Sequence, residues 1–152
     1  MKIIDLLSSE RVVSGVQASS KKRLFELASE IIAKDCPDFG AAEVFEGLFA
    51  RERLGSTGLG SGVAIPHGRI KGVRNAIGSF VQLKQAVDYD AIDGEPVDLL
   101  FCLLVPEEST DEHLQILSKL AELFSNKELC KRLRSADNDE VLLKLLTKSE
   151  KG

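Results

Sequence analysis

The segment Val97-Asp98-Leu99-Leu100-Phe101-Cys102-Leu103-Leu104-Val105-Pro106 constrains the fold of this chain more than any other. Successive side chains of a strand point to opposite faces, and here both sets are apolar apart from Asp98. Such a strand is buried on both faces and sits inside a covered sheet. Pro106, which has no N–H to donate, closes it. The rest of the chain must then supply further strands and helices to cover them.

It supplies them interleaved. Arg11-Val12-Val13 is strand-like. Ser19 or Ser20 caps a helix whose Leu24, Phe25, Leu27, Ala28, Ile31 and Ile32 fall mostly on one face, and Pro37 and Gly40 punctuate its end. A second helix carries Val44, Phe45, Leu48 and Phe49, runs into Arg51-Glu52-Arg53-Leu54 and stops at Gly55. The stretch 55–62, with four glycines in eight positions, reads as a loop. Val63-Ala64-Ile65 and the run 76–83 read as strands, and Asp93-Gly94 between two apolar runs reads as a hairpin turn. Ser109-Thr110-Asp111-Glu112 fits a capping box that opens a helix with Leu114, Leu117, Leu120, Ala121 and Phe124. Shorter helices follow over 127–133 and 140–146, then a charged tail. No internal repeat, low-complexity block or linker interrupts the pattern. The expectation is one domain over 1–152, an α/β sandwich with a central sheet.

Composition removes several function classes. The formal net charge of −4 disfavours a nucleic-acid partner. No apolar stretch approaches the ~20 residues needed to span a bilayer. Met1-Lys2-Ile3-Ile4-Asp5 lacks a signal-peptide pattern. Cys36, Cys102 and Cys130 are odd in number and without CxxC spacing, so they read as buried or inert thiols in a reducing cytoplasm. Gly58-x-Gly60-x-Gly62 precedes a strand rather than following one, which is the wrong context for a dinucleotide cradle, and no GK[ST] makes it a P-loop. Asp88-x-Asp90-x-x-Asp93-Gly94 has its glycine one position late and Leu99 where a calcium loop needs glutamate. Two histidines without a cysteine cluster do not make a zinc site. No metal and no cofactor are expected.

Chemistry concentrates at His67, in Gly58-Leu59-Gly60-Ser61-Gly62-Val63-Ala64-Ile65-Pro66-His67-Gly68-Arg69. Neutral imidazole, with an ordinary pKa near 6.5, is a good nucleophile at neutral pH. Nucleophilic catalysis needs that ring accessible and in a fixed tautomer. Pro66 stiffens the approach, Gly68 leaves space for another molecule or an unusual backbone angle, and Ser56, Thr57 and the loop N–H groups can donate to phosphate oxygens. Arg51, Arg53 and Arg69 are cations near it in sequence. Arg51 and Arg53 stand two apart on a helix, so at most one faces the site. His113, in the first turn of its helix, lies where backbone donors disfavour imidazolium, and in neutral form it can donate to a phosphoryl oxygen. Spacing alone leaves His67 open as a nucleophile or a polar strand-end residue, and His113 as a ligand or a surface cap.

The stretch Arg51-Glu52-Arg53-Leu54-Gly55-Ser56-Thr57-Gly58-Leu59-Gly60-Ser61-Gly62-Val63-Ala64-Ile65-Pro66-His67-Gly68 resembles the phosphorylation-site signature of enzyme IIA proteins of the bacterial phosphotransferase system, in the fructose/mannitol superfamily. Asp93-Gly94-Glu95-Pro96-Val97-Asp98-Leu99-Leu100-Phe101, Leu103-Leu104-Val105-Pro106 and His113-Leu114 resemble its nitrogen-regulatory branch. The resemblance implies a central mixed β-sheet flanked by α-helices. It implies a cytoplasmic regulatory phosphoacceptor, loaded on His67 through Nε2 by a small HPr-like phosphocarrier. Arg51 and His113 would steady the phosphoryl group, and Ser56 and Thr57 would make lesser contacts. Targets of the kind it suggests are potassium-uptake systems and sensor kinases. A sugar-transport enzyme IIA that feeds a fructose- or mannitol-type permease component is the alternative. Leu59, Val63 and Ile65 offer the carrier an apolar contact, although core is the favoured reading of Val63 and Ile65.

Overall fold

The apolar run at 97–106 is the axis of a mixed six-stranded sheet in the computed structural model, which describes residues 2–108 and 111–148, Glu112 by its backbone alone. The elements, in chain order, are α1 (Ile3–Leu6), a 3-10 turn (Ser9–Arg11), β1 (Val12–Val16), α2 (Lys21–Asp35), α3 (Ala41–Glu52), β2 (Gly58–Gly60), β3 (Val63–Ala64), β4 (His67–Ile70), β5 (Ile77–Val87), β6 (Val97–Pro106), α4 (Asp111–Phe124), α5 (Lys127–Ser135) and α6 (Asp139–Lys148). The sheet order is β1-β5-β6-β3-β2, with β4 also on β6. β5 is antiparallel to β6, β3 and β4 are parallel to it, β1 is parallel to β5, and β2 is antiparallel to β3.

The period-2 rule sorts the axis strand into two cores. Leu99, Phe101, Leu103 and Val105 pack with residues of α1, α4, α5 and α6. Leu100, Cys102 and Leu104 pack with Leu24, Phe25, Ala28 and Ile32 of α2 and Val44 and Leu48 of α3. The architecture is therefore helices on both faces of a central mixed sheet in one domain. Helix α2 begins where expected, with the Ser20 hydroxyl accepting from Arg23 N–H at 3.1 Å. The Ser109–Thr110 half of the expected capping box lies outside the described residues.

Three local expectations change. The glycine loop contains a strand: β2 turns back on β3 through Ser61 and Gly62, at φ 56° and 84°, positive as a mirror-image two-residue hairpin turn requires. Secondly, the strand at 63–65 does not end at Pro66. Val63, Ala64 and His67 face Leu99, Leu100 and Leu103 in one constant register, and the Pro66 carbonyl accepts from Leu103 N–H at 2.9 Å. A proline lacks only its donor, so the ladder passes through it and His67 opens a strand instead of trailing one. Finally, Asp93-Gly94 does join the antiparallel pair β5 and β6, but within a longer connection, 88–96, in which the Asp93 carboxylate accepts from Ser61 N–H at 2.9 Å and Glu95 N–H at 3.1 Å. Val63 and Ile65 are core, whereas Leu59 is exposed.

Candidate functional site

His67 is half-buried at the start of β4, two residues along the same strand face from Ile65 and directed toward α4. Its Nδ1 lies 3.0 Å from the Ile65 carbonyl oxygen. A carbonyl only accepts, so Nδ1 carries the proton and Nε2 keeps its lone pair. Burial, the largest influence, holds the ring's pKa below its ordinary value; the Ile65 bond opposes this, Arg51 adds to it and Glu52 opposes it. The product is a neutral imidazole in a fixed tautomer at neutral pH.

His113, on the first turn of α4, meets it edge to face, with ring centroids 5.3 Å apart at 69°. It is 8 % exposed, and its Nε2 is buried without a hydrogen-bond partner among the described residues. Such an atom costs ~1–3 kcal/mol and calls for an explanation. Burial, then His67 and Arg69, hold the His113 pKa down. The ring is neutral as expected, but chiefly because it is buried.

Two adjoining clefts, of about 590 and 440 Å³, are each lined by Arg51, His67, Arg69 and His113. Glu107, Glu108 and Asp111 form an acidic rim on the larger one, and Leu54, 83 % exposed, flanks the smaller. Arg51 lies in the last turn of α3 and donates from Nη1 to the Gly55 carbonyl at 2.9 Å. Arg53 lines neither cleft; its guanidinium lies over the Phe49 ring. The space behind Gly68 is not open. A methyl group there would stand 2.6 Å from the Gly47 carbonyl oxygen, so Gly68 exists for backbone-to-backbone packing of β4 on α3.

The structure thus brings His67, His113 and Arg51 together, but not Ser56 and Thr57, which line neither cleft. The Ser56 hydroxyl accepts from Gly58 N–H at 3.1 Å. Thr57 is buried, and its N–H and hydroxyl donate to the Glu52 carboxylate at 3.1 and 2.6 Å. Tyr89 O–H lies 2.9 Å from the same hydroxyl, and Lys21 Nζ lies 2.7 Å from Glu52 Oε2. Their first duty is to hold the loop. Arg69, one of the nearby cations in sequence, is i+2 from His67 on a strand and hence on the same face; Glu52 was not anticipated as a participant, although it is i+4 from buried Leu48 on a helix. Among the described residues, no three His, Cys, Asp or Glu side chains are grouped to hold a metal ion, and no helix is long and apolar enough to cross a membrane.

Residues 5–149 match the family described as phosphoenolpyruvate-dependent sugar phosphotransferase system, EIIA 2. The chain belongs to this family. Among EIIA relatives, a protein called nitrogen regulatory protein from Pseudomonas aeruginosa is 42% identical over 152 residues, covering 100% of this chain and 99% of that one. One of the same name from Escherichia coli K12 is 44% identical over 151 residues, covering 99% and 92%. The crystal structure of nitrogen regulatory protein IIA-Ntr from Neisseria meningitidis superposes with a TM-score of 0.89 at 48% identity, covering 95% of this chain and 99% of that one. The mannitol IIA of Escherichia coli, 24% identical with a TM-score of 0.77 over 92% of this chain and 98% of that one, shares the EIIA fold.

Proposed function

We propose that this EIIA protein is a regulatory phosphoryl carrier of the nitrogen branch, accepting its phosphoryl group on His67 Nε2 from a phosphohistidine of a small HPr-like protein. The observation that carries the reading is the pairing of His67, whose Nδ1–H is committed to Ile65, with a buried His113 Nε2 that lacks a partner among the described residues. In the transfer, the Nε2 lone pair forms the new N–P bond while the carrier's N–P bond breaks and its electrons return to the carrier's ring nitrogen. No proton needs to leave His67. Its ring gains positive character, and the Nδ1–H bond to Ile65 stabilises it. Arg51 and Arg69 face the equatorial oxygens, and His113 donates Nε2–H to one of them. Such a loose transition state depends on positioning and electrostatics more than on covalent help.

The relatives named nitrogen regulatory protein support the regulatory half of the reading. Phosphorylation adds roughly −1.5 to −2 charge beside a rim that already holds Glu107, Glu108 and Asp111. A target that docks on this face, such as a potassium-uptake system or a sensor kinase, would then meet a repulsive surface. The test is incubation with phosphoenolpyruvate and the upstream phosphotransferases, with and without sugar and membranes bearing fructose- or mannitol-type permeases. An acid-labile phosphoprotein that yields no sugar phosphate is expected. Sugar phosphorylation dependent on this chain would establish the transport alternative instead. A chain that binds phosphate but never carries it covalently would reduce the site to anion binding.

A further inference from the structure

We propose that Glu52 is a positioning residue of the phosphoryl site, a buried carboxylate that latches the 55–57 loop to the end of α3 and so fixes the Arg51 guanidinium beside His67. The proposal rests on His67 as phosphoryl acceptor. A glutamate only 6 % exposed at the last turn of a helix is costly unless fully partnered. Glu52 is so partnered: Thr57 N–H and hydroxyl and the Tyr89 O–H donate to it, at 3.1, 2.6 and 3.3 Å, and Lys21 supplies the counter-charge at 2.7 Å. Lys21 Nζ also sits 4.3 Å above the Tyr89 ring, which ties α2 into the same cluster.

These contacts act on Arg51 through a short path. Gly55 stands between two anchors, its own N–H on the Glu52 carbonyl at 3.1 Å and Thr57 on the Glu52 carboxylate, and the Gly55 carbonyl accepts from the Arg51 guanidinium at 2.9 Å. The Thr57 carbonyl in turn accepts from Ile65 N–H at 3.0 Å, and the Ile65 carbonyl accepts from His67 Nδ1. One carboxylate therefore sets both the cation and the nucleophile's tautomer-fixing residue. Its negative charge also raises the His67 pKa against burial and Arg51. Among the described residues, the charged and titratable groups around His67 are Arg51 and Glu52 from α3, Arg69 from β4, His113 and Asp111 from α4, and Glu107 and Glu108 just beyond β6.

The test uses the full chain and phosphorylated HPr-like carrier, with His67 ring titration followed by NMR. Glu52→Gln is expected to lower the His67 midpoint and slow transfer about tenfold at saturating carrier, with little change in KM. Combined with Arg51→Ala, it should cost almost nothing further, because both changes disable one unit. Additive losses or an unmoved midpoint would overturn the proposal. Should Glu52→Gln not fold, Lys21→Met decides: stripping the counter-ion should move the His67 midpoint upward, and no movement would overturn it. If the wild type takes no phosphate, the acceptor assignment fails, while the midpoint comparison still reads the latch.

Discussion

Replacing Gly68 by alanine should damage the protein through α3. The added methyl would stand 2.6 and 2.7 Å from the carbonyl oxygen and carbon of Gly47 and 3.1 Å from Leu48 N. The nearest of these is about 0.8 Å short of the 3.4 Å at which ordinary contact begins. All three are backbone atoms of a helix packed by Val44 and Leu48 into the core, so no side chain can rotate away and the helix itself must retreat. Overpacking of this kind costs ~1–3 kcal/mol, and the upper part of that range applies. At roughly 2–4 °C per kcal/mol for a chain of this size, the melting temperature should fall by about 4–12 °C. Gly47→Ala is the control. Its methyl would meet the tip of the Ile70 side chain, which can shift, and alanine gains up to about 1 kcal/mol over glycine in a helix. Its net effect should stay within about 1 kcal/mol. Urea and thermal unfolding followed by circular dichroism measure both. A Gly68→Ala protein within about 0.5 kcal/mol of wild type, or a Gly47→Ala protein as damaged as Gly68→Ala, would refute the packing argument.

Other consequences concern the site. Arg51→Ala should slow phosphoryl transfer by about 10²-fold with the fold intact, as loss of one preorganised charge-stabilising donor does; a rate within twofold of wild type in stopped-flow transfer would remove Arg51 from the site. His113→Phe should also slow transfer, yet unfold at no lower urea concentration than wild type, since it deletes a buried Nε2 without a partner among the described residues; clear destabilisation would mean that the nitrogen is satisfied. For pH, burial depresses the pKa of both His67 and His113 from 6.5. Between the folded values and 6.5 the unfolded chain binds more protons, so their contribution is complete above about 6.5 and falls away as pH drops through that window. Wild type should therefore lose more stability than a His67→Asn/His113→Phe variant on going from about pH 7.5 to 5; equal losses would contradict the depressed values.

The fold was legible wherever a period of two or 3.6 residues met a burial requirement. The two-faced run at 97–105 announced a covered central strand, and the Ser19-Ser20 pair announced the start of α2, capped by Ser20. Strand β2 was not legible, because glycines carry no pattern and the strand exists only through its partner β3. Nor was the continuity of β3 and β4 through Pro66: a missing donor looks like an end in sequence, although its carbonyl keeps the ladder going. At the site, residue chemistry and the family signature led to His67, Arg51 and His113, whose convergence only the fold supplies. Gly68 was read as room for a partner, when the nearest occupant of that room is α3. The helix face of Glu52 hinted at its burial, but its part in the site was not legible, because its partners Lys21, Thr57 and Tyr89 come from three separate segments.

The proposed chemistry turns on whether His67 Nε2 takes the phosphoryl group. Protein with ¹⁵N-labelled histidine, incubated with phosphoenolpyruvate and the upstream phosphotransferases, tests it by NMR of the ring nitrogens. A single phosphoryl group is expected on Nε2 of residue 67, with Nδ1 still protonated against Ile65, and none in His67→Ala. Phosphate on Nδ1, on His113, or retained in His67→Ala would contradict it.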